Sequence, residues 1–229
     1  MGQQQSTVRN AYDLVADDYA RLLPDTRAET AIDLGVLDAF VASVRDEGEV
    51  LDAGCGAGRM ARRLADGGCT VRGVDLSPRM VAAGRRAHPD LDLTVASLAD
   101  LPFEGGRFAG VLAWYSTIHT PDEELPGVLA ELVRVLRPGG HLLVAFQAGE
   151  GVVDLAESYG RHGHAVVLER YRRTVEAMAD LLDRAGCREV VRMVRAPEGQ
   201  EAEDQAVLLL TRSTPAPAPG GTGSGSSPG

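Results

Sequence analysis

Residues 51–59 read LDAGCGAGR, three glycines at alternate positions directly behind an acid. EVLDAG reads as a short strand, and AGRMARRLADGG after it has helical spacing. A glycine turn between strand and helix brings backbone N–H groups and a helix N-terminus toward a ligand. It also suits a tight turn with no ligand, so the triplet alone decides little about function. It does constrain the fold, because strand–turn–helix is the unit from which parallel sheets are built.

The unit repeats. CTVRGVDLS predicts a strand, PRMVAAGRRAH a helix with Pro78 in its first turn, and LDLTVAS a strand. FAGVLAWYS predicts a buried strand, LPGVLAELVRVLRPGG a helix ending at Gly139, and HLLVAFQAG a strand. This alternation predicts an α/β fold, a parallel sheet with helices on both faces. After helix TVEAMADLLDRAG come EVVRMVR and AVLLLTR, too close together for a crossover helix. They predict an antiparallel hairpin at the sheet edge.

Residues 8–212 form one expected domain. Its first part, 8–47, is a helical cap: TVRNAYDLVADDYARLL, with Thr7 as cap and Val8, Tyr12, Val15 and Tyr19 on one stripe, then TAIDLGVLDAFVASVRDEG. Segment 149–173 interrupts the alternation and suits a lid or substrate wall. Residues 1–7 are expected to be flexible. So is the Pro/Gly/Ser tail 213–229, which has too little apolar surface to bury.

Charge and composition narrow the partners. The formal net charge is -10, and the arginines are scattered among acids rather than gathered in a basic stripe. A small molecule is expected, not a nucleic acid or a membrane. All 23 basic residues are Arg, which removes Schiff-base and P-loop lysine chemistry. Cys55, Cys69 and Cys187 stand apart with no C-x-x-C pair, so neither a disulfide framework nor a zinc site is expected. No signal-peptide core or membrane-length apolar run is visible, and a soluble cytoplasmic protein is expected.

Gly56-Ala57-Gly58-Arg59-Met60-Ala61 fits the dinucleotide fingerprint, yet Asp52 stands before the first glycine. Asp75 ends the next strand, where an acid can accept two bonds from ribose hydroxyls. With GVDLSPRM, LADLPF, FAGVLAWYSTIH and VLRPGG following in order, D-A-G-C-G-A-G resembles the signature of class I S-adenosylmethionine-dependent methyltransferases. The look-alikes are small bacterial enzymes that modify metabolites and natural products. The resemblance covers roughly residues 8–212 and implies a Rossmann-like seven-stranded sheet in the order 3-2-1-4-5-7-6, with the last strand antiparallel.

It implies site residues as well. The cofactor's methionine end would lie on Gly54 and Gly56 in the turn that also holds Cys55 and Gly58, supported by Asp52. Asp75 would hold the ribose, while Leu76 and Met80 would pack on the adenine. Ser97 stands where the family often has an acid, leaving a hydroxyl and the Leu98 backbone N–H for the adenine edge. Tyr12 and Tyr19 would cover the cofactor or line the substrate cavity, with ordinary helix packing as the alternative.

The loop WYSTIHTPDE would face the transferred methyl group. His119 is the candidate base, with Asp122 or Glu123 to orient it, or else a histidine bonded to backbone in a loop. Trp114, Tyr115, Tyr159 and Tyr171 are candidate substrate walls. His162-Gly163-His164 lacks a third ligand, and no metal is expected. The implied reaction transfers a methyl group from S-adenosylmethionine to a small aromatic or heteroaromatic acceptor, indole-type rings among them, and releases S-adenosylhomocysteine. A non-catalytic S-adenosylmethionine-binding module and a nicotinamide-dependent oxidoreductase are the alternatives.

Overall fold

The structure is a computed structural model and describes residues 2–161, 163–199 and 201–214. Its strands are β1 (Glu49–Ala53), β2 (Thr70–Asp75), β3 (Asp92–Val95), β4 (Phe108–Trp114), β5 (Leu136–Gln147), β6 (Gly151–Asp154), β7 (Glu169–Arg172), β8 (Cys187–Arg195) and β9 (Gln205–Arg212). The helices are α1 (Gln3–Leu22), α2 (Ala31–Val44), α3 (Arg59–Asp66), α4 (Pro78–Ala87), α5 (Leu125–Val135), α6 (Ala156–Gly160) and α7 (Val175–Arg184).

Seven strands form one sheet in the order β3-β2-β1-β4-β5-β9-β8. All neighbours from β3 to β5 are parallel, and β9 runs antiparallel between β5 and β8. This is the topology that the resemblance implies, with β8 and β9 as its sixth and seventh strands. Every residue of central β4 is buried, whereas edge strand β8 is buried only at its two ends and exposed or half-buried between them. The strand order reverses between β1 and β4, which places the loops after these two strands together at a topological switch point, where α/β sheets bind ligands.

α2 begins with a capping box, the Thr30 side chain accepting from the Asp33 amide while the Asp33 carboxylate accepts from the Thr30 amide. The helix lies directly against β4. A Cβ added at Gly110 would come within 2.9 Å of both Phe40 and Val44 side-chain atoms. A larger residue there would push the helix off the sheet.

Three elements differ from expectation. α1 starts at Gln3 with Gly2 as its cap, and the Thr7 hydroxyl donates back to the Gln3 carbonyl. In this polar stretch Gln5 accepts from the Ser97 hydroxyl at 3.4 Å; further along the helix Asp13 accepts from the Ser77 hydroxyl at 2.6 Å and the Arg79 amide at 3.1 Å, and Asp17 pairs with Arg79 and Arg86. α5 stops at Val135 rather than Gly139, because Pro138 lacks a donor and Gly139 takes φ +76°. Segment 149–173 contains an antiparallel pair of its own, β6 with β7, and the short α6. His162 and the tail from residue 215 lie outside the described residues.

Phe40 is fully buried between α2 and the sheet. Phe40→Ala is expected to cost about 3–5 kcal/mol, read as a lowered urea midpoint with an unchanged slope.

Candidate active site

The glycine turn is shaped from within. Gly54, Gly56 and Gly58 all have positive φ, at +84°, +54° and +86°. A Cβ on Gly54 would sit 2.2 Å from Ser116 Cβ in the loop after β4. One on Gly58 would meet Leu93 at 3.1 Å and His88 at 3.3 Å. Only at Gly56 would an added Cβ meet nothing within 4 Å among these three, and Gly56 lines the main cavity. The amides are committed inward: Gly54 and Cys55 both donate to the Val74 carbonyl at 2.8 Å, Gly56 to Asp75 at 2.8 Å, and Gly58 to the Cys55 carbonyl at 2.8 Å.

A pyrophosphate on such a turn needs those amides free. The arrangement therefore disfavours a dinucleotide.

The cavity above the turn has a volume of about 950 Å³. Asp75 lines it, its two oxygens accepting from the Gly56 and Ser77 amides at 2.8 Å each. Every carboxylate oxygen has a second lone pair, so two ribose hydroxyls can still be accepted. Burial pushes the Asp75 carboxyl upward, and the Ser77 and Gly56 amides counter it. Leu76, Met80, Ser97 and Leu98 line the same end. Gln5 of α1 reaches the Ser97 hydroxyl at 3.4 Å, so the stretch expected to be flexible forms part of this wall.

Asp52 lies beneath the turn, 1% exposed, and one carboxylate oxygen has no partner among the described residues. Burial raises its pKa to about 7, against the pull of Arg59 and with a further push from Asp75. Asp52 and Cys55 line a side hollow of about 40 Å³ rather than the main cavity, and burial pushes the Cys55 thiol up.

Beside the turn is an ion pair that sequence reading missed. Arg59 donates to both Glu29 oxygens at 2.7 and 2.8 Å, with side chains 12% and 5% exposed. Trp114 Nε1 donates to the same Glu29 at 3.1 Å. Glu29 sits in the connection between α1 and α2 with no motif around it, and Arg59 resembles any first-turn helix charge. Both line the main cavity, as do Tyr19 and Trp114. Opposite charges held side by side match the ammonium and carboxylate of an amino acid.

His119 lies at the other end, 6% exposed. Its Nδ1 is 2.6 Å from the Glu169 carbonyl and its Nε2 is 2.9 Å from the Tyr12 hydroxyl. A carbonyl only accepts, so Nδ1 carries the proton and Nε2 accepts from Tyr12. Burial is the main cause that depresses the imidazole pKa, to about 4; the Glu169 bond opposes it and Arg170 adds to it. Asp122 does not orient this ring. It pairs with Arg173 at 2.8 Å and its side chain is 77% exposed.

Tyr159 packs in the apolar cluster with Tyr12 and Tyr19, outside the cavity lining. Tyr171 also lies outside the lining, its hydroxyl donating to the Glu169 carboxylate at 2.8 Å. Tyr115 does line the cavity. It is the one non-glycine residue with positive φ among those described, at +54°, and its hydroxyl donates to Gln205 at 2.8 Å. A bulky side chain in that region is strained, and such strain clusters at functional loops. Among the described residues no three His, Cys, Asp or Glu side chains gather as a metal site, and no helix is long and apolar enough to cross a membrane.

Residues 50–140 match the family described as "Methyltransferase domain". Over these residues the chain is similar to a methyltransferase domain, and its seven-stranded sheet has the strand order of that fold. It is 31% identical over 147 residues to a malonyl-[acyl-carrier protein] O-methyltransferase of Enterobacter lignolyticus, covering 63% of this chain and 58% of that one. It is 39% identical over 109 residues to a demethylmenaquinone methyltransferase of Beutenbergia cavernae, covering 48% and 44%. The chain thus spans about half the length of these curated relatives. Among solved structures, the Burkholderia thailandensis 1,6-didemethyltoxoflavin-N1-methyltransferase, which holds 1,6-didemethyltoxoflavin and S-adenosylhomocysteine, superposes with a TM-score of 0.70. It is 21% identical and the match covers 91% of this chain and 88% of that one, a likeness of fold. In this chain the turn, Asp75 and His119 all sit at the carboxyl ends of the parallel strands.

The burial of His119 fixes an expected titration. A base whose folded pKa is lowered gains its proton more readily in the unfolded chain. His119 therefore leaves stability untouched above about pH 6.5 and lowers it as the pH falls toward 4, by about 3 kcal/mol in full. NMR of ring-labelled histidine is expected to show His119 as the neutral Nδ1–H tautomer down to about pH 5. A ring titrating near 6.5 would contradict the buried geometry.

Proposed function

We propose that this chain transfers a methyl group from S-adenosylmethionine to a small heteroaromatic acceptor, such as an indole-type ring, with no metal. The observation that carries the reading is the floor of the cavity, where Asp75 and the Glu29–Arg59 pair face inward while the turn's amides are bonded away from it. These groups match a ribose and an amino acid joined through one small linker. Leu76, Met80 and Leu98 offer the adenine an apolar slot, and the Ser97 hydroxyl offers its edge a polar contact.

S-adenosylmethionine supplies an already activated methyl on a sulfonium, and attack by the acceptor leaves S-adenosylhomocysteine. The chain's part is to align the acceptor, exclude water and take up a proton. α1 and the 149–173 segment cover the cavity, joined by the Asp18–His164 contact of 2.8 Å. The Tyr12 hydroxyl accepts the acceptor's proton while passing its own to His119 Nε2, a relay already assembled at 2.9 Å. An imidazole with a pKa of about 4 is a weak base. It works late, when the new bond to carbon has made the departing proton strongly acidic. His119 and Asp122 face different partners, so the loop after β4 does not converge on a metal. The natural-product setting and cytoplasmic location that the sequence suggests belong to this proposal as well.

Calorimetric titration with S-adenosylmethionine, followed by a screen of aromatic acceptors for a one-methyl mass gain, tests the reading. Binding with methylated product supports it. Binding with no product from any acceptor favours a non-catalytic module, and no binding at all contradicts it. Asp75→Ala is expected to weaken cofactor binding on the order of 100-fold, through two lost charge-assisted bonds. Tyr12→Phe and His119→Ala are each expected to lower kcat about 10- to 100-fold with little change in KM for S-adenosylmethionine. Undiminished turnover in His119→Ala would remove its role as base.

A further inference from the structure

His119 sits in a turn closed by the Thr120 amide, which donates to the Thr117 carbonyl at 3.1 Å. Three consecutive residues of this turn are tied to three alternate residues of the 149–173 segment. The Ile118 carbonyl accepts from the Tyr171 amide at 2.8 Å, and the His119 ring donates from Nδ1 to the Glu169 carbonyl at 2.6 Å. The Thr120 carbonyl accepts from Arg173 Nη2. Alternate residues of a strand turn their backbone groups to the same edge, so this edge of β7 is held by the His119 turn while β6 holds the other.

The register of β7 on the turn converges on Arg173. Its backbone bridges to Ala148, directly after β5, and its carbonyl accepts from the Gly149 amide at 3.1 Å. Its side chain is only 6% exposed. Besides Thr120, it donates from Nη1 to the Tyr171 carbonyl at 3.3 Å and from Nε to Asp122 at 2.8 Å. The guanidinium also lies 5.7 Å from the centre of the Tyr171 ring, whose hydroxyl donates to the Glu169 carboxylate. The end of the main sheet, the loop after β4 and β7 therefore meet at one side chain. A planar fork of donors holds two carbonyls and a carboxylate together, which an ammonium on a flexible stem does not. What His119 meets depends on this register. With the Glu169 carbonyl on Nδ1, the proton stays there and Nε2 is left to accept from Tyr12. Neither of the other groups facing the ring, the Tyr12 hydroxyl on α1 and the Arg170 cation on β7, holds Nδ1. If β7 lifted from the turn, Nδ1 would lose its acceptor and either nitrogen could carry the proton.

We propose that Arg173 is the positioning residue for His119. By pinning β7 to the turn after β4, it keeps the Glu169 carbonyl on Nδ1 and Nε2 open to the Tyr12 hydroxyl. The effect on turnover rests on the methyl-transfer reading of the cavity, whereas the effect on the ring does not.

The test uses the full chain with ring-labelled histidine, the His119 signal being assigned by its loss in His119→Ala. Arg173→Met removes the fork and keeps the bulk, Arg173→Lys keeps the charge without the fork, and Asp122→Asn removes only the exposed partner. Each is read well below its own melting temperature. Both Arg173 variants are expected to lose the single Nδ1–H tautomer and to move the His119 titration from about 4 toward 6.5. Asp122→Asn is expected to keep the wild-type signal, because that carboxylate is 77% exposed and both carbonyls still hold the guanidinium. Turnover in Arg173→Lys is expected to fall on the order of 10- to 100-fold with KM for S-adenosylmethionine unchanged. If Arg173→Met does not fold, Arg173→Lys decides alone. A wild-type tautomer and titration in Arg173→Lys overturn the inference, and if the melting temperature falls at the same time Arg173 is a structural residue only. Loss of the signal in Asp122→Asn as well also overturns it, since the ion pair and not the fork on the carbonyls would then set the register. A chain that binds no S-adenosylmethionine contradicts the methyl-transfer reading but leaves the NMR comparison intact, so the two failures are told apart.

Discussion

Gly54 and Ser116 approach so closely that even a methyl group on Gly54 would sit 2.2 Å from the Ser116 Cβ. That contact joins the loop after β1 to the loop after β4 at the place where the strand order reverses. It needs glycine on one side and a chain turned sharply on the other, and Tyr115 provides the turn at φ +54°. With the two loops locked, the turn's amides fall onto Val74, Asp75 and Cys55. The triplet is thus explained first by protein packing against itself, and only at Gly56 by open space toward a ligand. A turn that has used its amides this way is poorly suited to phosphate and well suited to a ligand whose charges are met by side chains.

Those side chains are held in low-dielectric surroundings. The Glu29–Arg59 pair is nearly buried, and removing either partner would leave an uncompensated charge beneath the cavity. Asp52 shows how strongly the surroundings act, its carboxyl raised to about 7 chiefly by burial. His119 shows the same effect with the opposite sign, since burial there disfavours the cation. Fixed charges and dipoles in such a site need little reorganisation when a ligand binds, which is what a transfer between two bound molecules requires.

The parts of this structure that follow local rules could be read from the chain. Strand and helix alternation gave the sheet and its terminal hairpin, and the acid ending β2 marked Asp75. Helix α1 shows where local rules fail. Its Gln-rich start has no apolar stripe, and the partner of Gln5 there is Ser97, 92 residues along the chain. The ion pair escaped notice for the same reason, because Glu29 and Arg59 meet across 30 residues and each alone looks like a surface charge. Asp122 was close to His119 in sequence, yet the β6–β7 hairpin brings the Glu169 carbonyl to the ring and Arg173 to the carboxylate. Sequence distance is a poor guide wherever a lid segment supplies the partner.

The most direct test of the account is a crystal structure of this chain with S-adenosylhomocysteine. The account predicts ribose hydroxyls on the Asp75 carboxylate and the amino-acid end between the Gly54 carbonyl and the Glu29–Arg59 pair. The sulfur should point toward Tyr12 and His119. A ligand bound elsewhere, or seated with its ribose away from Asp75, would contradict it.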